Sequence, residues 1–174
     1  GQTLLNYQVS TLQHAGLSPI LVVLGHRADE LEAQLSPTLD LRLVRNPDYE
    51  QGRSTSVRAG VNALDPTQVD AVLVLNVDQP RPAALVSSVL QAHEEGGALI
   101  TIPTYRGKGG HPVVFSAELL GELAQVSEAT EGLKALVRRH ENEINRIELG
   151  LEEALLDLNT EEQYRRAYAL YGQQ

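Results

Sequence analysis

Four groups of polar residues could carry chemistry in this chain. The stretch AVLVLNVDQP at 71–80 is an apolar run that ends on Asp78 and is stopped by Pro80. A run of Val and Leu with no polar face predicts a central parallel strand covered on both sides. In open α/β sheets ligands sit beyond the carboxyl ends of such strands, so a carboxylate there is aimed at whatever the protein binds, although the position also suits an ordinary turn. A second polar end lies in LLDLNTEEQY at 155–164, with side-chain oxygens on Asp157 and Asn159. Asn159 with Glu162, or Thr160 with Gln163, has the spacing of a helix capping box, which is compatible with metal binding. Two strand ends that each offer an oxygen make a hard-cation site suited to Mg²⁺ and a phosphate chain.

The third group is NPDYEQGRSTSVRAG at 46–60. Gly52 ahead of a hydroxyl-rich helix start leaves backbone N–H groups and a positive dipole end free for a nucleotide base, ribose or phosphate. Capping by Ser54, Thr55 or Ser56 has the same spacing. Arg53 and Arg58 are the local cations. The fourth group is GKGGHP at 107–112, where dense glycines let the backbone approach a ligand closely or move as a lid. Lys108 and His111 are the polar groups such a loop delivers, and a plain mobile hairpin is the alternative.

Composition narrows the partners. The 174 residues suffice for a sizeable core, and one domain over 1–174 is expected. Hydrophobic residues make up 42% and charged residues 21%, with no apolar run long enough to span a bilayer, so a soluble protein without a membrane partner is expected. The absence of cysteine excludes disulfides, thiolate metal sites and cysteine nucleophiles, and makes a cytoplasmic location the default. A net charge of −9 disfavours nucleic acid as a partner. It leaves room for a phosphorylated small molecule, which needs only local cations or a metal. The chain opens on GQTLL as though cut from something longer.

The elements that must position these groups alternate. Helix is predicted over 3–15 with Thr3 as a cap, strand over 20–25, a short helix through Ala28, Leu31 and Leu35, and strand over 41–46. A third helix starts near Ser54 and precedes the Asp78 strand. A helix follows Pro82 and ends at Gly96 and Gly97, with Leu85, Val89 and His93 facing inward. Strands are expected at 98–103 and 113–115 on either side of the glycine-rich loop, then helices over about 116–125 and 130–140. NEINRIEL at 142–149 reads as a strand, on the edge and antiparallel. A last helix from about Thr160 places Tyr164, Ala167, Tyr168 and Tyr171 on one stripe, with core packing as the expected role. Strands alternating with helices predict an α/β fold with a mostly parallel, three-layer sheet.

Taken in order, GQTLL, NPDYEQGRSTSVRAG, LVLNVDQP, GKGGHPVVF and LDLNTEEQY resemble the molybdenum-cofactor cytidylyltransferases and related nucleotidyltransferases, over essentially the whole chain. The resemblance implies a Rossmann-like α/β/α nucleotidyltransferase. Such an enzyme uses Mg²⁺ to move a nucleoside monophosphate, CMP ahead of GMP, from CTP or GTP to a phosphorylated acceptor, with release of pyrophosphate. By matching position, Asp78 resembles the family's catalytic, metal-binding aspartate and Asn159 its second metal ligand. Arg53, Ser54 and Ser56 fall on the nucleotide side, Ser56 in a pattern R-x-x-S-V-x-x-G that is also similar to the cytidylyltransferase of isoprenoid synthesis. Lys108, Gly110 and His111 fall on the acceptor side. Molybdopterin is the leading acceptor, and a molybdoenzyme or maturation chaperone is an implied partner.

The family begins with a strand and the loop L-A-A-G-x-S-x-R-M-G, and these 174 residues start after that element. Without the loop the triphosphate has no cradle, so the 174-residue chain is expected to be inactive and its sheet to lack one central strand. SEATEGLKAL at 127–136 stands where cytidylyltransferases tend to carry a glycine- and aspartate-rich segment. That keeps a sugar- or polyol-phosphate acceptor open. A non-catalytic nucleotide-binding module is the reading from another class.

Overall fold

The computed structural model describes residues 3–171, so Gly1 and Gln2 of the GQTLL element lie outside the described residues, as does the side chain of Tyr171. Helix α1 (Leu4–His14) is capped by Thr3, whose hydroxyl accepts from Asn6 N at 3.3 Å. Strand β1 (Leu21–Leu24), short helix α2 (Ala28–Glu32) and strand β2 (Arg42–Arg45) follow, with β1 and β2 paired in parallel. Helix α3 (Arg53–Asn62) leads to β3 (Ala71–Val74). Helix α4 (Ala83–Gly96) has Pro82 at its N-cap and stops at Gly97, whose φ of +60° is the left-handed turn that favours glycine there.

Strands β4 (Ile100–Tyr105) and β5 (Lys108–Gly109) form a hairpin, and β6 (Val113–Ser116) runs back between β4 and β3. Short helices α5 (Leu120–Leu123) and α6 (Leu133–Arg139) precede β7 (Ile144–Glu148), and α7 (Glu161–Tyr171) is the last described element. Strand β7 lies parallel to β4, not antiparallel as its sequence suggested. The larger, five-stranded sheet is mixed, because the hairpin turns β6 antiparallel to both of its neighbours.

Alternation along the strands sorts the core into layers. Ile100, Ile102 and Phe115 face Val61 of α3, Leu123 of α5 and Leu136 of α6. Val114, with Leu73 and Ile147, faces Leu85 and Val89 of α4. Val9 of α1 covers Val22 and Leu24 of β1, while Gly60 of α3 lies against Val23 on the other side. The three-layer α/β/α arrangement expected from the alternation is therefore present.

Two further expectations change. Strand β3 is half-buried along its length, not fully covered, and among the described residues it pairs only with β6, while β1 pairs only with β2. No ladder among the described residues joins β1 to β3, so the sheet stands in two pieces. Two tyrosines of α7 are not core residues: Tyr164 and Tyr168 are 46% and 44% exposed and stack on each other at 6.2 Å, and of the described side chains on that stripe only Ala167 is buried. Apolar area alone does not place a tyrosine inside when its hydroxyl is better left in water.

Candidate active site

Strand β3 ends at Val74, short of the predicted Asp78. Asn76–Gln79 then forms a turn, closed by Gln79 N donating to Asn76 O at 3.1 Å and by the Asn76 side-chain amide donating to Gln79 Oε1 at 3.2 Å. The turn presents Asp78 at the carboxyl end of the sheet, half-buried. The segment after a short 3-10 turn at Glu152–Leu155 runs extended beside it, and Leu158 N donates to Asp78 O at 2.8 Å. That segment is not a strand, but the contact sets its backbone, between Asp157 and Asn159, against the backbone of the Asp78 turn.

Buried polar groups tie these pieces together. Gln79, 5% exposed, donates through Nε2 to Asp157 Oδ1 at 2.8 Å. Gln8 of α1, equally buried, donates to Asn76 O at 3.1 Å and Gln79 O at 2.9 Å. Arg81 is wholly buried and donates to four main-chain carbonyls: His111 O at 2.9 Å, Pro80 O at 3.0 Å, Leu156 O at 2.7 Å and Ala154 O at 3.0 Å. Two buried side-chain atoms on this knot, Gln8 Oε1 and His111 Nδ1, find no partner among the described residues.

The glycine-rich loop is a built hairpin more than a free lid. Tyr105 pairs with Lys108 and Thr104 with Gly109, and the Glu148 carboxylate accepts from Arg106 N at 3.1 Å and Gly107 N at 3.2 Å. Those amide donors, Gly107 first, hold the Glu148 carboxyl below its ordinary range. Gly110 N donates to Pro103 O and His111 N to Ala154 O. A Cβ on Gly110 would stand 2.2 Å from Ala154 O, so only glycine allows this approach.

His111 gathers the charges of the site. Burial pushes its imidazole below the usual histidine range, the Arg81 charge adds to that, and Asp157 and Asp78 oppose it. Arg53, at the start of α3, acts in the same direction as Arg81. His111, Asp78, Asp157 and Arg53 therefore share one electrostatic neighbourhood, while Lys108 stands exposed at the hairpin end.

The start of α3 is capped in a way the sequence did not suggest. Glu128 Oε1 accepts from Ser54 N at 2.7 Å and Ser54 Oγ at 2.9 Å, and these donors lower its pKa. A carboxylate seated there shows that the helix terminus favours an anion. Ser56 Oγ accepts from the buried Asn46 amide at 3.0 Å, which also donates to Thr55 Oγ1 at 2.8 Å, and Arg58 donates to Val126 O at 2.9 Å. Sequence reasoning missed Arg81, Gln8 and Glu128. A cation between two prolines just beyond an apolar strand was a usable signal for Arg81; the partners of the other two are too distant in sequence to infer.

Asp78 and Asn159 each carry a side-chain oxygen of the kind a hard cation takes. Among the described residues Asp78 makes no side-chain hydrogen bond, and Asn159 is exposed with its main-chain N–H bonded to Gln163 Oε1 at 2.8 Å. No group of three or more His, Asp or Glu among the described residues forms a complete metal cage. A few oxygens beside a phosphate chain is the arrangement Mg²⁺ accepts, since substrate and water fill the remaining positions.

The fold is shared with known nucleotidyltransferases. The family model for the MobA-like NTP transferase domain matches residues 1–144. The molybdenum cofactor cytidylyltransferase of Escherichia coli (strain K12) is 27% identical over 154 residues, spanning 88% of this chain and 76% of that protein. The bifunctional IPC transferase and DIPP synthase of Rubrobacter xylanophilus is 35% identical over 131 residues, 68% of this chain but 29% of that protein. Among solved structures, a nucleotidyl transferase from Methanothermobacter thermautotroptrophicus superposes with a TM-score of 0.81 at 25% identity, covering 99% of this chain and 82% of the other.

Proposed function

We propose, from the premise that this chain belongs to the MobA-like NTP transferase domain family and is a nucleotidyltransferase of cytidylyltransferase type, that it moves CMP from CTP to molybdopterin. The observation that carries the site is the Asp78 turn held against the 157–159 segment, with His111 on the same buried knot. The likeness to the E. coli cytidylyltransferase supports the base and the acceptor.

Nucleotidyl transfer is chiefly positioning and charge neutralisation. An acceptor phosphate oxygen attacks the α-phosphorus in line, the bond to the bridging oxygen breaks, and pyrophosphate leaves with that electron pair. Asp78 and Asn159 would hold Mg²⁺, which when bound offsets the negative charge on the reacting phosphates. Arg53, Ser54 and Ser56 line the nucleotide side, where a ligand anion would compete with Glu128 for the start of α3. On the acceptor side His111, neutral at pH 7, offers a hydrogen bond, Gly110 fixes its backbone, and Lys108 supplies a mobile cation.

A second reading is a sugar- or polyol-phosphate acceptor, favoured by the match to the IPC transferase and by the 127–136 segment, which lacks the glycine- and aspartate-rich pattern of cytidylyltransferases. The test is pyrophosphate release by the protein expressed from its whole reading frame, with CTP or GTP against molybdopterin and a panel of polyol phosphates. Turnover with CTP and molybdopterin supports the first reading; turnover with polyol phosphates alone moves the assignment to the second.

A further inference from the structure

We propose that Arg81 is a positioning residue for the transfer reaction, a buried fork that holds the acceptor-side backbone at His111 in register with the Asp78 turn and the 154–158 segment. This role rests on the nucleotidyl-transfer reading and falls to a side chain that does not itself meet the nucleotide.

Three stretches distant in sequence must meet at the site: 76–81, 109–111 and 154–159. Their direct main-chain contacts are few, namely Leu158 N to Asp78 O and His111 N to Ala154 O, both at 2.8–2.9 Å. The Arg81 guanidinium joins all three, with Nε on His111 O, Nη1 on Pro80 O and Leu156 O, and Nη2 on Ala154 O. Ala154 O thus takes both the His111 amide and the guanidinium. Arg81 itself starts from a fixed base: it lies between Pro80 and Pro82, and Pro82 caps α4, whose Leu85, Val86 and Val89 are fully buried. A movement of α4 or of the Asp78 turn is therefore passed to the His111 backbone through rigid, planar geometry.

A wholly buried cation is expensive to desolvate, and an apolar side chain of similar size would commonly be as stable. What an apolar replacement cannot do is fix four carbonyls from separate segments at once. Lysine cannot do it either, because its ammonium is a point donor on a flexible stem.

Arg81→Lys keeps the charge and most of the volume and tests positioning. In the whole-reading-frame protein, assayed with CTP and molybdopterin, the expected result is about a 10-fold or greater rise in acceptor KM or fall in turnover, on the scale of second-layer supports. CTP affinity should stay within about twofold. In the His111→Ala background most of that loss should vanish, because holding the His111 backbone matters to the acceptor only while the imidazole is there to meet it. Full additivity with His111→Ala, or an equal loss of CTP affinity, would overturn the proposal.

Amide hydrogen exchange gives a readout independent of activity. Exchange at Gly110, His111 and Leu158 should quicken together in Arg81→Lys while β4 and α4 core amides stay protected; uniform quickening, or none, contradicts positioning. Should Arg81→Lys and Arg81→Gln both fail to melt cooperatively, Arg81 belongs to core stability and the proposal is wrong. Absence of pyrophosphate release by the parent under every pairing would instead defeat the transfer reading, leaving the exchange result to judge Arg81 by itself.

Discussion

In the proposed function a neutral His111 would offer the acceptor a hydrogen bond, since burial and the Arg81 charge hold its imidazole below the usual histidine range. A base whose folded pKa is depressed stabilises the fold above its unfolded value, about pH 6.5, and that contribution is lost as pH falls from there through the lowered folded value. Acceptor binding should therefore be steady from pH 7 upward and weaken on acidification. His111→Ala is expected to raise the acceptor KM while CTP affinity, by calorimetry, stays within about twofold. A clear loss of CTP affinity with unchanged acceptor kinetics would move His111 to the nucleotide pocket. At this scale Asp78 and Asp157 were legible as polar residues at the ends of apolar runs, and His111 as a polar group of the glycine-rich loop. Arg81 had a signal in its place between two prolines, but its partners were not legible, because they are carbonyls, which every residue has and no sequence marks.

Gly110 and the start of α3 are matters of whole elements. A methyl on Gly110 would meet Ala154 O at 2.2 Å and force apart the hairpin and the 154–158 segment. Gly110→Ala should cost about 1–3 kcal/mol, as overpacking does, measured by chemical denaturation. Gly121→Ala, where nothing lies within 4 Å, serves as the control and should change little. The Glu128 carboxylate, held below its ordinary range by Ser54, stabilises the fold above about pH 4.5, and this contribution disappears as pH falls through the lowered value. Melting temperatures of Glu128→Gln and parent should thus differ at pH 7 and converge in acid; a constant gap across pH would show that the cap is not electrostatic.

Element order was readable because hydrophobic period changes cleanly from strand to helix, and the breakers Pro47, Pro82 and Gly97 sit where elements change. Strand direction was not: NEINRIEL alternates equally well in either orientation, and only its ladder to β4 makes it parallel. The extended 156–159 segment reads like a strand by composition but finds one main-chain bond to the Asp78 turn instead of a ladder.

At the scale of the molecule, the three layers follow from alternating strands and helices, and the whole-chain order of motifs located the family. The half-exposed β3 was not legible, since a run of Val and Leu reads as covered whichever neighbours are present. A metal held at Asp78 is the centre of the proposed chemistry. Its most direct test is the Mg²⁺ dependence of pyrophosphate release by Asp78→Asn in the protein expressed from its whole reading frame. Turnover should fall roughly 100-fold or more, as when a key electrostatic group is removed, with the melting temperature little changed. Turnover within a few-fold of the parent at saturating Mg²⁺ would contradict the site.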